Sequence, residues 1–216
     1  EAPELPEDPA EYTAFARMQN LFDTNSYSDE DRVRTERYLA EKSRTELSAG
    51  IDNYDDYLKA LGMKAVCAPF DAFHIPRIAQ LTQRSNQFNL RTVRYSEQEI
   101  EEIAANPRYV TRYYTLRDRF GEHGLIAVVI LEKRENELFV NEWLMSCRVL
   151  KRGMEQFIAD SILRAAREAG VARVVGEYIP TPKNAMVKDF YGAMGFQKLS
   201  EKDGDSEWEY VIPEKY

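Results

Sequence analysis

The sequence predicts an α/β protein whose mixed central sheet is preceded by a helical N-terminal extension. Three observations carry that expectation. Residues 1–62 are polar with helical spacing, strand-like and helix-like runs alternate from residue 63, and three β-rich runs lead into a long amphipathic helix ending at Gly170. From residue 63 the order reads strand, two helices, three-strand meander, long helix, strand, helix, two strands. The expected organisation is an extension over 1–62 and an α/β domain over 63–216.

Each element has a local reason. Three prolines among acidic residues make 1–9 an extended lead-in. Tyr12, Phe15, Met18 and Phe22 recur at helical spacing. A second helix is expected from Ser28 or Asp29, where Asp29, Glu30 and Asp31 suit the positive end of the dipole. It runs through Tyr38 and Leu39 towards Leu47 and breaks at Ala49-Gly50. Residues 53–61 make a short helix closed by Gly62, and 63–70 a strand. Pro76 suits a first helical turn, with Ile75, Ile78, Ala79 and Thr82 at helical spacing. Ser96 and Glu99 form a capping box for a helix through Ile100 and Ile103 to Ala105. The runs 109–116, 124–133 and 137–149 predict an antiparallel meander, the last two separated by Arg134-Glu135-Asn136. The long helix starts near Gly153 and sets Met154, Phe157, Ile158, Ser161, Ile162, Ala165 and Ala169 on one face. Strands over 171–179, 196–199 and 207–212 complete the sheet. Between them Asn184 is expected to cap a short helix. Val187, Phe190, Tyr191 and Met194 form its buried stripe, and Gly195 ends it.

The 216 residues, 44% hydrophobic, suffice for one large domain or a domain with an appendage. No apolar run approaches the ~18 residues that span a bilayer, so no membrane association is expected. The net charge of -8 belongs to residues 1–62, which hold 15 acidic and 7 basic side chains, while 63–216 hold 22 of each. Without a net positive field, nucleic-acid binding is disfavoured. Cys67 and Cys147 make no disulfide framework, which points to a reducing cytoplasm. His74 and His123 stand apart, with no Cys-x-x-Cys or His-x-x-x-His spacing, so no metal site is expected. A first residue of Glu rather than Met leads us to expect a processed protein or a piece of a longer one.

The order from residue 63 resembles the GNAT acyltransferase fold. In that fold a central strand feeds the long helix and the next strand diverges, leaving a cleft for a pantetheine arm. The loop entering that helix reads Gln/Arg-x-x-Gly-x-Gly/Ala in the family and holds the pyrophosphate of acetyl-CoA on backbone N–H groups. The matching run here is Leu150, Lys151, Arg152, Gly153, Met154, Glu155. Only Gly153 fits. Leu150 replaces the polar residue, and Glu155 stands where a small residue admits the phosphate, so a diphosphate would be repelled. Lys151 and Arg152 either hold a single phosphate or form a solvated basic turn. Tyr191 matches the tyrosine that in many GNAT members protonates the departing thiolate, a task suited to a phenol of pKa ~10. Its plainer role is that of a core tyrosine.

Four runs in order resemble the FkbH-like family. They are Q-L-T-Q-R-S-N-Q-F-N-L at 80–90, D-R-F-G at 118–121 with G-L-I at 124–126, L-M-S-C-R-V-L at 144–150 with Arg152 and Glu155, and Y-I-P-T-P-K-N at 178–184. The resemblance implies a GNAT-like C-terminal half following a haloacid-dehalogenase-like phosphatase domain of the same polypeptide (the HAD-IIIC arrangement). It also implies transfer of a glyceryl unit from 1,3-bisphosphoglycerate to an acyl carrier protein, feeding methoxymalonyl-type polyketide extender units. The phosphatase motif Asp-x-Asp-x-Thr does not occur here, so the resemblance covers the C-terminal portion, with 1–62 as connector. A carrier protein presents phosphopantetheine without the adenosine diphosphate of CoA, which makes loss of the pyrophosphate cradle tolerable. No tightly bound cofactor is expected; the carrier's phosphopantetheine is the implied thiol, with CoA as the alternative.

In that context Cys147 is a candidate acyl acceptor. Arg148, Lys151 and Arg152 follow it, and positive charge favours the nucleophilic thiolate. Strand parity instead groups Cys147 with Phe139, Trp143, Met145 and Val149 on an apolar face, unless a bulge inverts it. Asn86, Gln87 and Asn89 either cap a helix end or hold a polyhydroxylated acyl group. Thr181, Lys183 and Asn184 follow the strand that faces the cleft and are candidates for substrate or pantetheine contact. Asp118 and Arg119 are expected as an ion pair, His123 as an exposed turn residue and His74 as a packing or capping residue. The expected function is acyl transfer to or from a carrier-protein thiol, with Tyr191 as proton donor and Cys147 as acyl acceptor. A CoA-dependent N-acetyltransferase and a catalytically inactive carrier-docking domain are the alternatives.

Overall fold

A computed structural model describes residues 6–18 and 29–213. The chain divides into two units, Glu1–Gly50 and Ile51–Tyr216. In the first, Asp8 accepts a hydrogen bond from the Ala10 N–H (2.9 Å) at a 3-10 turn that leads into α1 (Tyr12–Met18). α2 (Asp29–Ala49) carries the helical ion pairs Lys42–Glu46 (3.9 Å) and Arg44–Glu41 (3.2 Å). Phe22, Ser28 and positions 1–5 of the expected lead-in lie outside the described residues.

The second unit begins with α3 (Tyr54–Leu61). Asn53 caps it by accepting from the N–H groups of Asp55 (2.8 Å) and Asp56 (3.4 Å), and Gly62 closes it at φ 58°. Leu61 is fully buried and its carbonyl accepts from the Arg119 N–H (3.0 Å). α3 therefore packs with the sheet, ahead of the change of pattern at Met63.

Among the described residues, seven strands form one sheet. They are β1 (Lys64–Ala68), β2 (Tyr109–Asp118), β3 (Gly121–Arg134), β4 (Glu137–Met145), β5 (Arg173–Tyr178), β6 (Gln197–Lys202) and β7 (Asp205–Val211), in spatial order β1-β2-β3-β4-β5-β7-β6. Only β4 and β5 are parallel. On one face α4 (Ile75–Arg84) and α5 (Glu97–Ala105) bury Ile78, Leu81 and Ile100 against Val128, Ile130 and Leu144. On the other, α6 (Met154–Ala169) and α7 (Phe190–Ala193) bury Ile158, Ile162 and Tyr191 against Val129, Leu131 and Trp143. β3, covered on both faces, is buried without a break over 125–131. The capping box of α5 is present, with Ser96 N–H donating to Glu99 Oε2 (2.7 Å) and Glu99 N–H to Ser96 Oγ (3.3 Å). Gly170 ends α6 at φ 68°. Among the described residues, no helix is long and apolar enough to cross a membrane.

Three departures from the expected elements shape the site. β4 stops at Met145, and residues 147–149 form a 3-10 turn rather than continuing the strand. Within β4 the partner of Ile130 is Glu142 and that of Leu131 is Val140, so Asn141 is bulged out of the ladder. The bulge puts Leu138 and Val140 on the α6 face together with Trp143 and Met145, while Phe139 turns to lie under the guanidinium of Arg134 (3.6 Å). Phe139 and Trp143 thus occupy opposite faces, contrary to simple alternation. Third, the helix expected over 184–195 is broken into a 3-10 turn, Ala185–Val187, and the single turn α7. Asn184 caps neither piece, although Val187 and Tyr191 are buried and Phe190 and Met194 pack on the same core.

Candidate active site

β4 and β5 pair from Glu137↔Arg173 to Val140↔Gly176 and then part. Two parting strands leave backbone donors and acceptors that need partners. Residues 88–90 supply them. Leu90 N–H donates to the Trp143 carbonyl (3.3 Å), Met145 N–H to that of Phe88 (3.0 Å), and Ile179 N–H to that of Leu90 (2.9 Å), with Asn89 bridged antiparallel to Leu144. Arg91 then ties the strands together. Its guanidinium donates to Asn141 O (3.0 Å) and Oδ1 (2.6 Å) at the bulge, and its Nε lies 3.1 Å from Glu177 on β5. Asn184, fully buried, locks this insertion by donating to Asn89 O and Ile179 O (2.9 Å each) and accepting from Thr181 N–H (2.7 Å) and Tyr178 Oη (3.3 Å). Both donors and both acceptor sites of its amide are used.

Behind this segment the gap is filled with rings. Phe190 meets Phe88 and Trp143 edge-on (centroids 4.7 and 4.9 Å), and Tyr191 meets Phe196 at 5.1 Å. Tyr191 is fully buried, its hydroxyl has no hydrogen-bond partner among the described residues, and its ring lies directly over Gly176. Burial pushes its phenol far above the ordinary value, with Arg91 opposing and Glu142 and Glu177 adding to the rise. The expected proton donor is therefore sealed into the core, away from any reacting thiol.

The loop entering α6 is also occupied from within. Gly153 is left-handed (φ 79°), as is Lys151 (φ 62°). Glu155 Oε1 accepts from the Lys151 N–H (2.6 Å), so a carboxylate sits at a backbone donor of the kind that holds a diphosphate. Tyr54 donates to the Lys151 carbonyl (2.8 Å). Arg152 turns inward, 3.7 Å from Asp118 Oδ2 and 3.4 Å from His123 Nε2, which itself lies 2.8 Å from Asp118 Oδ2. His123 is buried, not exposed, because it is the extra residue of a bulge between β2 and β3. Asp118 pairs with His123 and Arg152, while Arg119 lies over the Phe120 ring instead of forming the expected pair. His74 takes the packing role, stacked on Tyr113 at 4.2 Å with its Nδ1 2.9 Å from Asp71.

What remains open is a pocket of about 750 Å³ beyond the end of β4. One wall is the face of α4 bearing Arg77, Gln80 and Arg84, followed by residues 85–88. The other is residues 145–148 with Pro182 and Lys183. Among the described residues, no Asp or Glu lines it. Cys147 is exposed there as a free thiol, since the strand ended before parity could bury it. Arg148 Nε donates to Ser146 Oγ (3.2 Å), and Ser146 is itself anchored by its N–H to the Ile126 carbonyl (2.7 Å).

No family model matches the sequence, and no curated protein matches it. Solved structures match in fold. The ribosomal-protein-S18-alanine N-acetyltransferase of Escherichia coli is 16% identical with a TM-score of 0.52, over 71% of this chain and 99% of that one. The GNAT domain of S. lividans PAT is 16% identical with a TM-score of 0.54, over 68% and 90%. Rv2747 of Mycobacterium tuberculosis, solved in complex with CoA and NLQ, is 12% identical with a TM-score of 0.53, over 68% and 99%. The chain has the GNAT fold.

Within this GNAT fold, the expected site residues divide. Cys147, Arg148, Asn86, Gln87 and Lys183 meet in the open pocket. Asn89 and Asn184 are fully buried in the strand insertion, and Thr181 is a turn residue whose Oγ1 accepts from Lys183 N–H (3.3 Å). Lys151, Arg152 and Gly153 shape the α6 loop and do not line the pocket. Sequence reasoning missed Arg77 and Arg84, whose i, i+7 spacing on the polar face of α4 was the available signal. It also missed Glu142, a carboxylate mid-strand, fully buried, with the backbone of Val93 and Trp143 beside it. Burial raises its pKa to about 8, against the lowering influence of Arg91 and Arg94.

Proposed function

We propose that this chain transfers a small, polar acyl group to or from the phosphopantetheine thiol of an acyl carrier protein, with Cys147 as covalent acceptor, as the GNAT-like half of an FkbH-like protein. One observation carries the reading. Three separate stretches that resemble that family, at 80–90, 144–150 and 178–184, contribute side chains to one pocket with an exposed cysteine in it. The Cys147 thiolate attacks the acyl carbonyl and the donor's leaving group departs, giving a thioester. The carrier's thiol then attacks that thioester, its proton passing to solvent as Cys147 leaves as thiolate. Asn86 and Gln87 supply amides for the hydroxyls of a glyceryl-type group. An upstream phosphatase domain in the same polypeptide belongs to this reading as the supplier of the acyl group.

N-acetyl transfer is the activity named for the Escherichia coli neighbour, and a CoA-dependent form of it is the alternative for this chain. Against it here stand Glu155 on the Lys151 N–H and the ring-filled gap between β4 and β5. The test is incubation of the chain with glyceryl-loaded carrier protein, followed by intact-protein mass spectrometry. A glyceryl adduct on the chain, absent from Cys147→Ala, is expected. A carrier that stays fully loaded beside an unmodified chain refutes the proposal, and micromolar CoA binding with amine acetylation replaces it.

A further inference from the structure

The pocket beside Cys147 holds more positive charge than a neutral thiol arm needs. Arg84 comes from the last turn of α4, Arg148 from the turn after β4, and Lys183 from the loop after β5, yet all three line one space of about 750 Å³ without an acidic neighbour in its walls. Among the described residues none of the three is ion-paired, and the only side-chain bond of Arg148 is to the neutral Ser146 hydroxyl (3.2 Å). Several other surface cations of the same unit meet carboxylates, among them Arg173 with Glu137 (2.9 Å), Arg108 with Glu132 (2.7 Å) and Lys198 with Glu201 (2.6 Å). Gathering like charges from three segments is unfavourable until an anion enters between them. Guanidinium forks and an ammonium together match the oxygens of a phosphate ester.

The route into the fold points the same way. Residues 88–90 close the parting of β4 and β5, Arg91 braces it, and Glu155 takes the anion seat at the α6 loop. An arm that reaches Cys147 therefore enters through the open side, past α4.

We infer that Arg84, Arg148 and Lys183 form a phosphate-ester site and that it holds the phosphate of the incoming phosphopantetheine arm, which thus approaches from the α4 side. This rests on the acyl-transfer reading above. The same chemistry is offered by a phosphorylated acyl donor, so the test separates the two sources. Under reducing conditions the chain is titrated calorimetrically with phosphopantetheine, pantetheine, 3-phosphoglycerate and glycerate. Phosphopantetheine is expected to bind at least tenfold more tightly than pantetheine. The Arg84→Ala/Lys183→Ala variant loses that difference, and Lys183→Arg keeps it. A preference confined to 3-phosphoglycerate over glycerate overturns the assignment to the arm. Equal binding of esters and their dephosphorylated forms overturns the site itself. The titration involves no transfer, so it stands apart from the acylation test. Ester preference without a Cys147 adduct removes the transfer reading alone, and an adduct without ester preference removes this inference alone.

Discussion

The C-terminal end of β4 borders two regions built in opposite ways. On the side of β5, the parted strand edges are covered from within: the backbone of Phe88 and Leu90, the guanidinium of Arg91 and the amide of Asn184 all hold strands together. Beyond Met145, Cys147 is free and Arg84, Arg148 and Lys183 line an open pocket. In a GNAT fold the first region is where the sequence resemblance expects a ligand, and here it is the better packed of the two. Position in the fold is thus a weaker guide to the site than whether the strand edges there are already covered.

Three substitutions probe that contrast, taken from the largest effect. In Gly176→Ala the new Cβ falls 2.3 Å from Tyr191 Cζ. The ring is boxed in by Trp143, Phe196 and Trp208 and has nowhere to go. Overpacking of this kind costs about 1–3 kcal/mol, and the upper end is expected from the denaturant midpoint, with phosphate-ester preference intact. An unchanged midpoint means the gap is looser than described.

Glu142→Gln comes next and is read against pH. The folded carboxyl titrates at about 8, above an unfolded value near 4.5, so the native state holds the proton longer. Its contribution is full below about pH 4 and is lost as pH rises towards 8, with a slope of at most about 1.4 kcal/mol per pH unit. The glutamine variant flattens this dependence and is the more stable protein at pH 8, as thermal melts across pH 4–9 measure. Parallel curves for both proteins would mean that Glu142 is ionised and solvated.

Tyr191→Phe is the smallest. It deletes a buried hydroxyl that has no partner, so stability stays within about 0.5 kcal/mol or rises slightly, and the rate of acyl transfer is unchanged. A tenfold fall in rate would return the phenol to the chemistry and make the filled gap a working cleft.

Elements whose cause is local were legible in the sequence. The capping box at Ser96, the apolar face of α6 and its stop at Gly170, and the left-handed Gly195 are fixed by residues a few positions apart. Strand parity was legible only between bulges. The extra residues His123 and Asn141 arise from how β3 meets its neighbours, and they re-aimed His123, Phe139 and Glu142. The end of β4 at Met145 leaves no mark in a run whose apolar/polar alternation continues through Cys147 to Val149, and that end decides whether Cys147 is buried or free. The insertion of 88–90 pairs groups more than fifty residues apart, beyond any local pattern.

That insertion has a consequence for how the domain lives without a visitor. A sheet split at its middle carries raw edges, and a protein that leaves them for a ligand to cover gains melting temperature only as fast as the ligand is supplied. Here the chain brings its own covering segment. The scaffold stands complete while idle, and its persistence is uncoupled from the abundance of whatever it serves.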